Sequence, residues 1–144
     1  MTLKSNIRPR KAKETVMPRL TSARSVLAVR NLDVSVSFFH DKLGFETVAT
    51  HDGWCFLTRG GFTVMLGHCP DEVPASEIGD HSYFAYVVVD SVDALYDEFR
   101  FREVHSLLAP ESKPWGMREF VVTTPDGHRI MFGQDLERTE FTAN

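Results

Sequence analysis

The sequence has little cysteine: Cys55 and Cys69 are its two thiols among 144 residues. Two are too few for a disulfide scaffold or for a zinc site with four sulfur ligands, so we expect unpaired thiols in a reducing compartment, with a single bridge as the alternative. No apolar run approaches the roughly 20 residues that a membrane-spanning helix needs, and the N-terminus lacks the apolar stretch of a secretory signal. These absences predict a cytoplasmic protein that has no membrane partner.

Basic residues are scarce after the first 24 positions. Residues 1–24 hold seven Lys and Arg against one Glu, a net charge of +6, whereas the remaining residues hold nine basic and 19 acidic side chains, a net charge of −10. An acidic body excludes nucleic acid as the main partner, because phosphate binding requires a basic face. It suits a cationic ligand, although an acidic surface also serves solubility alone.

Composition divides the chain into three stretches. Residues 1–19 are basic, contain Pro9 and Pro18 and lack apolar periodicity, which predicts a flexible extension rather than a targeting peptide. Residues 20–136 carry the ordered pattern of one domain, and residues 137–144 form a C-terminal tail. Within the domain, a linker at 68–80, rich in Pro, Gly, Asp and Glu, separates module one (24–67) from module two (81–134).

Both modules show the same order of elements, namely a strand, a helix and three strands. In module one, Asp33 or Ser35 is the predicted helix cap, Gly44 ends the helix, and Asp-Gly and Gly-Gly pairs join the strands. In module two, Ser91 is the predicted cap. The predicted strands are Ser25–Arg30, Phe45–Thr50, Trp54–Arg59, Phe62–Gly67, Tyr83–Val89, Val104–Leu108, Arg118–Thr123 and Arg129–Phe132, with a loop at Ala109–Gly116.

An internal repeat relates the two modules. Residues 58–67 align with residues 124–133 at an offset of 66, and three pairs of identical residues coincide: Gly61/Gly127, Met65/Met131 and Gly67/Gly133. A unit of this size rarely buries its sheet face alone. We therefore predict an α+β fold in which two βαβββ modules form a shared, incompletely closed eight-stranded barrel-like sheet around a cavity.

Alternation along the last strand of each module assigns its two faces. One face of each strand is mostly apolar and is predicted to pack under the helices; its residues are Phe62, Val64, Leu66, His128, Ile130 and Phe132. The opposite face carries Met65 and Met131. We therefore expect both methionines to face the cavity.

Four stretches carry a resemblance to a known family: LTSA at 20–23, FFHDKLGFE at 38–46, DALYDEF at 93–99 and PWGMREFVVTTPDGHRIMF at 114–132. On these motifs the sequence resembles the glyoxalase/bleomycin-resistance/dioxygenase superfamily, also called the vicinal oxygen chelate superfamily. Within it, the sequence is most similar to the bleomycin resistance proteins. Met117 departs from their pattern as an insertion between Gly116 and Arg118.

The resemblance implies where a metal would bind in the enzymes of the superfamily, which hold a divalent cation with His, Gln and Glu side chains. The matching positions here are Arg24, Met65, Phe84 and Met131. None offers a good donor for Mg²⁺, Mn²⁺ or Zn²⁺, so we predict no metal, no cofactor and no catalytic residues. His81 is the alternative ligand, weighed against an exposed histidine at the start of a strand.

The resemblance to resistance proteins also implies a ligand site. Their cleft, formed largely between two subunits, sequesters planar, cationic, copper-chelating drugs. Trp54 and Trp115 match the aromatic residues that stack on the drug, and Asp52 matches an acidic residue of the family. Met65 and Met131, on the cavity face of their strands, would give the site a soft, adaptable lining. Arg118 and Glu119 are candidates to pair with each other or to orient a ligand. Ordinary packing for the tryptophans and methionines, and a surface ion pair for Arg118 and Glu119, are the alternatives.

These observations predict a non-catalytic, homodimeric binding protein that sequesters a bleomycin-like or other flat cationic small molecule. Ser25 stands where the family has a proline, which leaves open whether the first strand is exchanged between subunits. One alternative is a metal-dependent lyase, dioxygenase or epimerase that uses other ligands. A second alternative is an interaction or regulatory domain whose cavity is vestigial.

Overall fold

The computed structural model describes residues 17–136, apart from the side chains of Asp80 and His81. Residues 17–24 are exposed and precede the first strand. The predictions for residues 1–16, for the tail at 137–144 and for the His81 side chain lie outside the described residues. No helix in the described part of the chain has the length and apolar character needed to cross a membrane.

Module one forms a four-stranded sheet with a helix on one face. Its strands are β1 (Ser25–Val29), β2 (Glu46–His51), β3 (Trp54–Arg59) and β4 (Phe62–His68), and its helix α1 (Leu32–Ser37) continues into a π-helical turn, Phe38–Lys42. The strand order is β1-β4-β3-β2, with β1 parallel to β4 and the other pairs antiparallel. After the helix the chain therefore runs back through two hairpins, so that β4 lies beside β1 and β2 forms the opposite edge.

The helix caps were partly predicted. Asn31, not Asp33 or Ser35, caps α1: its backbone is extended, and its side chain accepts a hydrogen bond from the Val34 N–H at 3.1 Å. Asp33 lies within the first turn, and the Ser35 side chain is buried. The prediction of either as the cap is wrong, because a cap must lie before the first helical residue. Ser91 does cap the second helix, accepting from Ala94 N–H at 3.3 Å.

Module two repeats the arrangement. It contains β5 (Tyr83–Val88), α2 (Val92–Phe101), β6 (Leu107–Ser112), β7 (Met117–Thr123) and β8 (Arg129–Asp135), with strand order β5-β8-β7-β6. The prediction for β6 is wrong in position, since the strand runs through the predicted loop at 109–112. Pro110 is tolerated there because β6 is an edge strand whose pairing with β7 is irregular between Leu108 and Glu111.

The predicted α+β fold with two βαβββ modules is confirmed. Within residues 17–136 the strands form two four-stranded sheets rather than a closed barrel, so the predicted incomplete closure takes the form of two open sheets. The core lies between each sheet and its helix. Val64, Leu66 and Ile130 are 0% exposed and Phe132 is 4% exposed, packed with Phe39 and Phe99 of the helical segments. Each such side chain contributes about 1.5–3 kcal/mol by leaving water.

Two ion pairs between described residues join the modules. At one junction the Arg30 side chain, just after β1, donates from Nε to Oδ1 of Asp126 in the β7–β8 turn at 2.9 Å, and the Asp126 side chain is 6% exposed. At the other junction Arg59 at the end of β3 forms two hydrogen bonds of 2.8 Å with the Glu98 carboxylate of α2. These contacts connect the two modules at two separate junctions.

Candidate functional site

The open face of each sheet is the face that turns away from its helix. On the first sheet it carries Val26, Phe56 and Met65, which lie side by side on β1, β3 and β4. On the second sheet it carries Tyr86, Met131 and Val121, which lie side by side on β5, β8 and β7. Met65 and Met131 alternate along their strands with buried core residues. The structure therefore places both methionines away from the core.

Trp54 lies on the open face of the first sheet. It is directly opposite Gly67 on β4, and a Cβ atom added to Gly67 would come within 2.8 Å of the indole ring. The ring therefore lies across the glycine backbone, where it stays 37% exposed instead of joining the core. Asp52 is exposed in the turn before β3, two residues before Trp54 along the chain. One open face thus combines an accessible indole, a thioether and a nearby carboxylate.

Glu119 organises the open face of the second sheet. Its residue exposure is 6%, and its Oε2 atom accepts two hydrogen bonds, from the Tyr86 hydroxyl at 2.7 Å and from Trp115 Nε1 at 3.1 Å. Trp115, in the loop before β7, is itself 63% exposed. A buried carboxylate thus lies beneath two accessible aromatic rings.

Gly133 makes room for this cluster. It is opposite Val88 on β5 and Glu119 on β7, and a Cβ atom there would overlap the Tyr86 hydroxyl. Burial, the hydrogen bond to Glu119 and the negative charges of Glu119 and Asp135 raise the pKa of Tyr86 above its usual range. The Tyr86 hydroxyl therefore stays protonated and available as a donor at neutral pH.

Tyr86 was not singled out in the sequence, and the reason is the register of β5. The family's metal-ligand position was expected near Phe84, but β5 has an irregularity between Tyr83 and Ala85, so Tyr86 lies beside Met131. Phe84 packs against the core instead. On β1, likewise, Val26 rather than Arg24 lies beside Met65. No local sequence signal singles out Tyr86, because its place beside Met131 depends on the pairing of β5 with β8.

Arg118 lies on the opposite side of β7 from Glu119. It donates to the Asp93 carboxylate in the first turn of α2, at 3.0 Å from both Nε and Nη2, and to the Ser112 hydroxyl at 3.0 Å. The predicted pairing of Arg118 with Glu119 is therefore wrong, because neighbouring residues of a strand point to opposite faces. The aspartate holds the pKa of Arg118 above its usual range.

The positions expected to hold a metal in related enzymes do not fit a divalent cation. Beside Met65 lies the hydrocarbon side chain of Val26, and beside Met131 lies Tyr86, whose hydroxyl donates a hydrogen bond to Glu119. Thioether and alkyl groups are poor ligands for hard cations. Among the side chains that the structure describes, which leave out Asp80 and His81, no group of three or more His, Cys, Asp or Glu is placed to hold a metal ion.

A cavity of about 650 Å³ lies elsewhere, at the junction of the modules. It opens between the β3–β4 turn, the free edge of β5 and α2, and none of the seven predicted ligand-binding residues lines it. Its walls are mostly apolar, and the Arg59–Glu98 ion pair borders it. Tyr86 also lines it, so this residue lies between the cavity and the open face.

The predicted site residues therefore fall into two groups. Trp54, Met65 and the neighbouring Asp52 belong to the first sheet, while Trp115, Glu119 and Met131 belong to the second. The structure joins Trp115 and Glu119 directly and adds Tyr86 to them. Arg118 belongs to neither group.

Comparison with known proteins bears on this arrangement. The family model described as "Glyoxalase/Bleomycin resistance protein/Dioxygenase superfamily" matches residues 21–132. A bleomycin resistance protein of Geobacillus stearothermophilus is 27% identical over 124 aligned residues, which cover 77% of this chain and 94% of that protein.

Solved structures show the same fold. A bleomycin resistance determinant encoded on the transposon Tn5 has a TM-score of 0.69 and 22% identity, covering 81% of this chain and 98% of that one. A bleomycin-binding protein from Streptomyces verticillus, complexed with copper(II)-bleomycin, has a TM-score of 0.65 and 24% identity, covering 81% and 97%.

Proposed function

We propose that this chain, which belongs to the Glyoxalase/Bleomycin resistance protein/Dioxygenase superfamily, is a non-catalytic binding protein that sequesters a planar, cationic, bleomycin-like small molecule. The observation that carries the proposal is the cluster of Trp115 and Tyr86 on the buried carboxylate of Glu119. Exposed aromatic faces held by a negative charge are suited to a flat cation.

The first sheet supplies a second surface of the same character. Trp54 keeps 37% of its surface exposed above Gly67, and Met65 is half-buried on the same face. An indole stacking on a planar or cationic group contributes about 0.5–2 kcal/mol, and a methionine adapts its shape to an apolar ligand. Asp52 adds an exposed negative charge at the rim. Both open faces therefore offer stacking surface to a flat ligand.

Relatives support a drug-binding role in resistance. Bleomycin resistance proteins match most of this chain, and the structural neighbour from Streptomyces verticillus holds copper(II)-bleomycin. The superfamily also includes enzymes, as its description states. The poor fit of Val26, Met65, Tyr86 and Met131 to a divalent metal favours binding over catalysis for this member.

The proposed working form is a homodimer in the cytoplasm. Several large apolar residues near the open faces are strongly exposed, among them Val26 at 61%, Val88 at 66% and Trp115 at 63%. A second copy covering these faces would remove them from water and close a cleft over the ligand. Sedimentation velocity at micromolar concentration tests this part of the proposal, and a monomer at all concentrations would contradict it.

Titration with bleomycin tests the ligand. We expect heat and tryptophan quenching on adding copper-loaded bleomycin, and at least a tenfold weaker dissociation constant for Trp115→Ala, which removes a large stacking surface. Arg118→Ala is the matched control, because Arg118 lies on the other side of β7 and its loss should leave affinity unchanged. The absence of both heat and quenching at high micromolar drug would reject bleomycin as the ligand. Stoichiometric Mn, Fe, Ni or Zn in protein purified without chelators would favour an enzyme.

A further inference from the structure

We propose that Glu119 is a positioning residue: its buried carboxylate fixes the Trp115 indole as an exposed stacking surface, with Tyr86 as the second support. The inference deepens the proposed function and rests on it where the ligand is concerned. Glu119 itself is not the group that meets the ligand's positive charge. The same oxygen, Oε2, accepts from both aromatic residues, and only 6% of the residue is exposed, against 63% of Trp115.

Trp115 needs such a support because of where it lies. It occupies a tight turn between β6 and β7, in which Gly116 N–H donates to the Lys113 carbonyl at 3.1 Å and Gly116 has a φ of 87°. The turn fixes the backbone but not the ring, which is mostly exposed and has the Lys113 ammonium over one face, 5.9 Å from its centroid. The Nε1–Oε2 hydrogen bond at 3.1 Å restricts rotation of the ring. An indole held in place before binding loses less conformational freedom when a ligand stacks on it.

Tyr86 anchors the Glu119 carboxylate to the sheet. It comes from β5, 33 residues before Glu119, and reaches over Gly133 of the strand between them to donate to Oε2 at 2.7 Å. The carboxylate is therefore held from the sheet side by Tyr86 and holds Trp115 on the solvent side. One oxygen with two lone pairs accepts both hydrogen bonds at once, which suits a rigid connection.

The two roles of Glu119 separate on substitution. Glu119→Gln removes the charge but keeps a carbonyl oxygen that accepts from Trp115 and Tyr86. If Glu119 positions the ring, this variant keeps affinity for copper-loaded bleomycin within about threefold. If the carboxylate meets the ligand's charge, the same variant weakens binding by tenfold or more, as expected for a lost charged contact.

A second variant removes the acceptor with little risk to folding. In Tyr86→Phe combined with Glu119→Met, both partners of the hydrogen bond between Tyr86 and Glu119 become apolar, a change that is often tolerated. Trp115 Nε1 loses its acceptor, but Trp115 is 63% exposed. We expect this double variant to bind copper-loaded bleomycin about tenfold more weakly than the wild type. Thermal unfolding of each variant verifies that the domain is folded.

The position of the ring is measured without ligand. Trp54→Phe leaves Trp115 as the single tryptophan, so fluorescence anisotropy and acrylamide quenching then report on its indole alone. In that background we expect Glu119→Gln to preserve anisotropy. We expect the combined Tyr86→Phe and Glu119→Met change to lower the anisotropy and to increase quenching.

The outcomes are distinguishable. Unchanged anisotropy in the double variant overturns the positioning role, and a tenfold loss of affinity in Glu119→Gln with unchanged anisotropy assigns Glu119 to direct charge contact. If wild-type protein binds no bleomycin but the ligand-free anisotropy falls as expected, the drug proposal fails while the positioning of Trp115 by Glu119 stands.

Discussion

The two modules share two pairs of repeated glycines. The members of one pair have the same surroundings, and the members of the other pair do not. Gly67 and Gly133 each lie under an aromatic side chain of a neighbouring strand, Trp54 in the first sheet and Tyr86 in the second. At Gly61 and Gly127 the repeat diverges. A Cβ on Gly127 would come within 2.5 Å of the Ser76 backbone nitrogen, whereas a Cβ on Gly61 would meet nothing within 4 Å.

The difference follows from what each hairpin contacts. The β7–β8 turn packs on the linker and on β1, through Ser76 N–H to the Asp126 carbonyl at 3.1 Å and through the Arg30–Asp126 pair. The β3–β4 turn instead borders the 650 Å³ cavity. The repeat therefore preserved glycines that accommodate open-face aromatics, while the junction of the modules became asymmetric.

Alanine at the diverged glycines should give the largest contrast. Gly127→Ala forces a side chain onto a φ of 94° and into the Ser76 backbone, so we expect a loss of about 3 kcal/mol in the free energy of unfolding. Gly61→Ala should change it by less than about 0.5 kcal/mol. Urea unfolding measures both, and equal losses would contradict the asymmetry.

The two inter-module ion pairs should also differ. Asp126→Ala leaves the Arg30 side chain without its buried partner, and we expect a loss of about 2 kcal/mol. Glu98 is 31% exposed, so Glu98→Gln should cost below about 1 kcal/mol. A larger loss for Glu98→Gln in the same unfolding assay would reverse the ranking of the two junctions.

The Glu98 pair also predicts a pH dependence. The hydrogen bonds from Arg59 lower the pKa of Glu98 below its usual value of 4.5, against the opposing effect of burial. A lowered folded-state pKa stabilises the protein above pH 4.5, and that contribution is lost as pH falls through the folded value. Unfolding free energies measured from neutral pH down through the folded pKa of Glu98 should therefore decline less steeply in Glu98→Gln than in the wild type.

Alanine at the preserved glycines should act on the ligand sites more than on stability. Each new Cβ displaces the outer end of a partly exposed ring, which we expect to cost about 1 kcal/mol. Gly133→Ala should additionally separate Tyr86 from Glu119 and weaken bleomycin binding more than Gly67→Ala does. Calorimetric titration of both variants provides the comparison, and equal affinities would show that the second open face has no special role.

The smallest expected effect concerns His128, whose counterpart in the repeat is Phe62. Burial lowers the pKa of His128, with the charge of Asp126 opposing that shift. Because the folded pKa lies below the unfolded value of 6.5, protonation favours the unfolded chain and stability declines as pH falls below 6.5. His128→Phe should flatten that decline in denaturant midpoints measured on either side of this value. An unchanged slope would assign it to other groups.

Sequence patterns predicted much of the fold because the decisive signals are local. Asp-Gly and Gly-Gly pairs marked the hairpins, so the bounds of Trp54–Arg59 were predicted as observed. Alternation likewise assigned Met65 and Met131 to the faces away from the core. The position of β6 was wrong because its pairing with β7 overrides the proline that indicated a loop.

The candidate site was harder to predict because it depends on register across several strands. Glu119 was selected from a motif, but its partners Tyr86 and Trp115 approach it from an edge strand and a loop. An irregularity in β5 decides which side chain of that strand lies beside Met131. No local pattern specifies such a shift, since a change of one residue reverses every face.

The two thiols differ in their exposure, so one of them can be labelled selectively. Cys55 is 3% exposed, and burial raises the pKa of its thiol, so it reacts slowly with alkylating reagents. Cys69, half-buried just after β4, has its backbone N–H bonded to the Val29 carbonyl at 2.8 Å. A maleimide dye should therefore attach selectively at Cys69, a native labelling point anchored beside the end of β1, from which energy transfer between copies would report assembly.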